Sequence, residues 1–86
     1  MASTTFDYSD ISERAKRALA EEIPNSMVST EPGFGGRVHI KIVSDRLNGM
    51  SEREKQDLVW KILERRLEAD AQAISFVLPY AAEELP

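Results

Sequence analysis

The chain has no cysteine and a single histidine, His39. The first absence removes disulfides, thiol nucleophiles and thiolate metal ligands. The second leaves one imidazole, too few for a histidine-built metal site. Long hydrophobic runs are missing too: no stretch approaches the roughly 20 apolar residues needed to cross a bilayer. The opening, Met1-Ala2-Ser3-Thr4-Thr5-Phe6, has neither the basic nor the apolar region of a signal peptide, so a cytoplasmic location is expected. Positive charge is scarce: 11 Lys and Arg stand against 15 Asp and Glu, a net charge of −4. That balance disfavours a global phosphate-binding surface. No G-x-S-x-G, P-loop or dinucleotide fingerprint is present. No two carboxylates are placed by spacing and apolar context for acid–base work. The expectation is a protein that is not an enzyme and carries no cofactor.

What is there is an ordered series of patterned segments. Eighty-six residues suit one small domain, which buries only roughly 60–65% of its unfolded surface. Residues 1–9 lack periodicity and read as a flexible N-terminus, leaving 10–86 as the domain. Asp10, with Glu13 three residues on, is a capping signal for a helix over 11–22. Ile11, Ala15, Ala18, Leu19 and Ile23 share its apolar face, and Pro24-Asn25 ends it. Residues 26–31 make a short strand, and three glycines and a proline within 32–36 force a loop. Over 37–44, Val38, Ile40 and Ile42 alternate with Arg37, His39 and Lys41, predicting a strand with one apolar and one basic face. Asp45 to Gly49 is a turn. Ser51 and Glu54 then form a capping box for a helix ending near Glu68, with Leu58, Val59, Ile62, Leu63 and Leu67 as its stripe. Residues 73–78 read as a last strand with Ile74, Phe76 and Leu78 on one side, stopped by Pro79.

A strand, a helix and a strand in one sheet make a right-handed crossover, which sets the last strand parallel to the one before it. The predicted fold class is therefore α+β: two layers, a three-stranded mixed sheet covered on one face by two main helices, in the order α-β-β-α-β. The uncovered face carries Arg37, His39 and Lys41.

This order, together with Arg37-Val-His-Ile-Lys-Ile-Val-Ser-Asp-Arg-Leu-Asn-Gly49, Leu58-Val59, and Pro79 before Glu83-Glu84-Leu85, resembles the BolA-like family over about residues 10–85. The resemblance implies a class II KH-like fold and partnership with monothiol glutaredoxins, with which family members share a two-iron, two-sulfur cluster. Some members are tied to transcriptional control and stress responses. The chain diverges at the cluster ligands. Lys55-Gln56-Asp57 stands in place of the family's arginine-histidine-arginine run, so Gln56 replaces the ligand histidine, and the loop 31–36 has neither histidine nor cysteine. A neutral amide is a poor iron ligand beside imidazole or thiolate.

The expected function is a non-catalytic binding module for a protein partner, a monothiol glutaredoxin or another component of iron–sulfur or redox regulation, without family-typical cluster ligation. Gly49, Arg53, Gln56 and Trp60 are the candidate partner-binding residues. The alternative is weak nucleic-acid binding by a KH-like, transcription-regulating domain through Arg37, Lys41, Arg46 and Asn48. Against it, the turn at 48–51 lacks the second glycine of a GXXG loop. His39, with no second ligand near it in sequence, is assigned no catalytic or metal role. Phe34, at a glycine-rich tip, is either tucked onto the sheet or an exposed anchor. A monomer or weak homodimer is expected, with no membrane partner.

Overall fold

Asp7, not Asp10, caps the first helix in the computed structural model, which describes residues 5–85. Its carboxylate accepts from the Asp10 amide at 3.2 Å, and α1 runs over Tyr8–Glu22. The helix therefore begins three residues before the predicted start. Two long-range contacts favour this. The Tyr8 hydroxyl meets the Thr30 hydroxyl at 2.9 Å, and the Phe6 amide donates to the Gly35 carbonyl at 2.9 Å. Phe6 and Tyr8 also pack on the core. Of the expected flexible start, residues 1–4 lie outside the described residues, and Phe6 to Ser9 are held in place. The predicted inward face of α1 is the observed one: Ile11, Ala15, Ala18, Leu19 and Ile23 are all buried.

The sheet has strands β1 (Met27–Pro32), β2 (Val38–Ser44) and β3 (Ile74–Ala81), in that spatial order. β1 pairs antiparallel with β2, and β3 pairs parallel with β2. Central β2 sends Val38, Ile40 and Ile42 into the core at no more than 1% exposure. Helix α2 (Glu52–Leu67) makes the crossover and lies beside α1 on the same side of the sheet. It buries Val59, Ile62, Leu63 and Leu67, while Leu58 is only half-buried at the stripe's edge. Each fully buried aliphatic side chain contributes roughly 1.5–3 kcal/mol relative to exposure. Across the helix pair, Glu22 meets Arg65 at 2.5 Å and Arg66 at 3.0 Å, while Arg14 meets Asp70, in the helical segment Glu68–Ala73 after α2, at 2.7 Å. The arginines, Arg65 first and then Arg66, hold the Glu22 carboxyl below its ordinary range.

β3 departs from expectation twice. Pro79 does not stop it; the strand continues to Ala81. β3 lies at a sheet edge, where a missing amide donor is tolerated. The other departure is a β-bulge. Ile74 pairs with Val38 but Phe76 pairs with His39, so Ser75 is an extra residue. Beyond it the alternation changes phase. Val77, Pro79 and Ala81 turn toward the helices, and Phe76 and Leu78 emerge on the open face at 43% exposure each.

Candidate functional site

The turn after β2 is built from Leu47 outward. Leu47 is fully buried, and a single 3-10 turn, Asp45–Leu47, wraps over it. The Ser44 hydroxyl accepts from the Arg46 amide at 3.0 Å. Gly49 follows with φ of 80°, a conformation that favours glycine. Its amide donates to Glu83 Oε2 at 2.8 Å, while the Glu83 amide donates to Asn48 Oδ1 at 3.1 Å. The turn is thus laced to the short helical turn Ala82–Glu84.

α2 starts on the predicted capping box. The Glu54 amide donates to Ser51 Oγ at 3.1 Å and the Ser51 amide to Glu54 Oε1 at 2.8 Å. One turn in lies Lys55, 1% exposed, the largest fully buried side chain among the described residues. Its Nζ donates to Glu52 at 2.8 Å and to Glu84 at 2.6 Å. Glu84 Oε1 accepts the Ala81 amide as well, at 2.7 Å. Hydrogen bonds from Glu52 and then Glu84 raise the Lys55 pKa; Lys55 and then the Ala81 amide lower that of Glu84. A buried ammonium needs such partners. Sequence reasoning missed this lysine, although a signal existed: position 55 is four before Val59, on the apolar stripe.

Gln56 is engaged at both ends of its amide. Nε2 donates to the Val77 carbonyl at 2.9 Å, and Oε1 accepts from Trp60 Nε1 at 3.1 Å. Trp60 is half-buried on the core's edge and borders an open groove with Asp57, Lys61 and Glu64. Arg53 is 92% exposed and reaches Asp57 only at 4.0 Å. Of the four candidate partner-binding residues, then, Gln56 and Trp60 form one linked unit, Arg53 stands clear on the outer side of α2, and Gly49 sits in the adjoining turn.

The candidate nucleic-acid residues do not converge. Arg37 donates to the Gln72 carbonyl at 3.1 Å and lies over the Phe6 ring at 5.3 Å. Arg46 lies past the opposite end of β2, roughly 20 Å or more away at ~3.3 Å per strand residue. Asn48 is bound to the Glu83 amide. Only Lys41 is on the open face, with Nζ 5.5 Å from the Tyr80 ring.

That face has more apolar surface than the sequence pattern suggested. His39 stacks on Phe76, ring centroids 4.2 Å apart, with its imidazole over Gly33. Met27 is 74% exposed, and Phe34 at the hairpin tip is 95% exposed, which resolves it as projecting rather than tucked in. The bulge at Ser75, which no periodicity announces, is why Phe76 and Leu78 do not share a side with Ile74 as the alternation predicts. Two shallow grooves cross the face: one of about 270 Å³ beside His39, Phe76 and Leu78, the other of about 240 Å³ beside Met27, Val43 and Leu85. Lys41 and Ser29 line both. Among the described residues, no helix is long and apolar enough to cross a membrane. In comparisons with protein-family models, curated proteins and solved structures, nothing matches this chain.

Proposed function

We propose that this chain is a non-catalytic, cytoplasmic binding module that presents the outer side of α2 and the preceding turn to a protein partner. One observation carries the reading: the first turns of α2 are fixed by the capping box, the Lys55 ion pairs and the Gln56–Val77 bond, yet their outer side, with Arg53 92% exposed and the groove at Trp60, is left open. A rigid helix start with an uncovered outer side is suited to recognition.

The resemblance to BolA-like proteins makes a monothiol glutaredoxin, or another component of iron–sulfur or redox regulation, the first partner to try. The residues do not fit a shared cluster. Gln56 is tied to Val77 and Trp60, the hairpin tip offers Phe34 rather than histidine or cysteine, and His39 is stacked on Phe76. The proposed contact is therefore one without iron. NMR titration of the full chain with a monothiol glutaredoxin should shift resonances across residues 48–60 and leave the mixture colourless. Unmoved resonances there would remove the glutaredoxin from consideration. A cluster absorbance band from the mixed proteins would overturn the ligand argument.

A further inference from the structure

The helices lie on one side of the sheet, and among the described residues nothing covers the other. Its solvent side combines Met27, Val43, Phe76 and Leu78 with one free cation at the centre, Lys41. Among the described residues Lys41 makes no ion pair; its Nζ lies 5.5 Å from the Tyr80 ring centroid. Among the described residues that line the two grooves, Glu31 is the one carboxylate, and it lies at the far end, paired across strands with His39.

We propose that the open face is a docking site for an amphipathic α-helix of a partner protein, laid along β2 with apolar side chains in the two grooves and a carboxylate on Lys41. A second copy is the weaker occupant. Two such faces meeting about a two-fold axis through Lys41 set Lys41 against Lys41, and like charges in direct opposition are destabilising. Charge equally selects an acidic occupant, because burying Lys41 under a purely apolar one strands an unpaired ammonium. A helix is the element that completes a layer over a sheet. From His39 to Val43 the strand advances about 13 Å, the length of about nine helical residues. The fitting segment has apolar residues at i and i+7 with Asp or Glu at i+3 or i+4 between them. This surface lies across the sheet from the outer side of α2, so it is additional to the contact proposed above.

The test pans a displayed library of helical peptides, randomised on one face, against the full chain, with NMR mapping of the enriched peptide. The expected peptides carry an acid between apolar positions and shift resonances over 39–43 and 76–78. Lys41→Glu should replace the selected acid with a base. Leu78→Asp, a change at an exposed position, should weaken binding roughly tenfold or more, as loss of a central anchor does. Failure to enrich, enrichment without acid preference, or indifference to Lys41→Glu overturns the proposal. So does concentration-dependent dimerisation in sedimentation that Leu78→Asp abolishes, since it would assign the face to a second copy.

Discussion

Lys55 spans the distance between a helix start and the residues that follow β3. Replacing it with methionine keeps most of the stem and removes the charge, which frees Glu84 from its cation while leaving α2 packed. The expected result is a folded protein whose amides at Ala81 to Glu84 exchange hydrogen faster, with α2 unchanged. If those amides keep their protection, the ion pair is not what holds the turn. Two glycines allow a controlled comparison, since both have φ of 80°. At Gly49 an added Cβ meets open space, so Gly49→Ala should cost only the backbone strain, about 1–2 kcal/mol. At Gly36 the same Cβ runs into the Phe6 carbonyl, so Gly36→Ala should cost more and release the segment before α1. Denaturant midpoints measure the difference; equal losses would mean that Phe6 adds nothing.

The C-terminal turn, Ala82–Glu84, depends on pH in a definite direction. The folded Glu84 pKa lies below its ordinary 4.5, so its contribution is complete above 4.5 and is lost as pH falls through the lowered value. The folded Lys55 pKa lies above 10.5, so its contribution is complete below 10.5 and is lost as pH rises through the raised value. NMR shifts of residues 81–84 should stay constant between these limits and change outside them. β3 offers a second test at this scale. Deleting Ser75 leaves Ile74 facing in and Phe76 facing out, so the protein should fold with a loss of about 1 kcal/mol. Inserting an alanine after Phe76 instead turns Val77 to Ala81 over and should abolish the fold. Circular dichroism and thermal melts distinguish the two. What was legible in the sequence follows the same line. The capping box at Ser51, the stripes of both helices and the alternation in β2 are local patterns, and they were readable. The start of α1 rests on Tyr8 finding Thr30 as well as on the Asp7 cap, the face of Phe76 rests on an unannounced extra residue, and the engagement of Asn48 and Gln56 rests on Glu83 and Val77. A periodicity of 3.6 or 2 carries no record of an inserted residue or of partners distant in sequence.

At the scale of the molecule, the core is one layer of side chains between two helices and the sheet, with Val38, Ile40 and Ile42 of β2 alongside Ile74 and Val77 of β3. A domain of this length has roughly 4–13 kcal/mol of net stability. Ile40→Ala should remove about 2–5 kcal/mol of it, read as a lower denaturant midpoint by circular dichroism. The ion pairs between α1 and α2 are partly solvated, and surface pairs contribute little. Raising salt should therefore move the melting temperature only slightly, whereas the Ile40 change should move it by many degrees.

The crossover also sets an order of events. β1 reaches β2 through the short hairpin tip, Pro32 beside Val38, but Val38 meets Ile74 only after the whole of α2 has turned back. Closing the longer loop carries the greater entropic cost, and non-local pairing slows folding. The barrier therefore lies at the arrival of β3, and the kinetic signature is asymmetric: weakening the hairpin, already formed when that barrier is crossed, should slow refolding, while weakening the turn at Ala82–Glu84, which closes only after β3 has docked, should chiefly hasten unfolding.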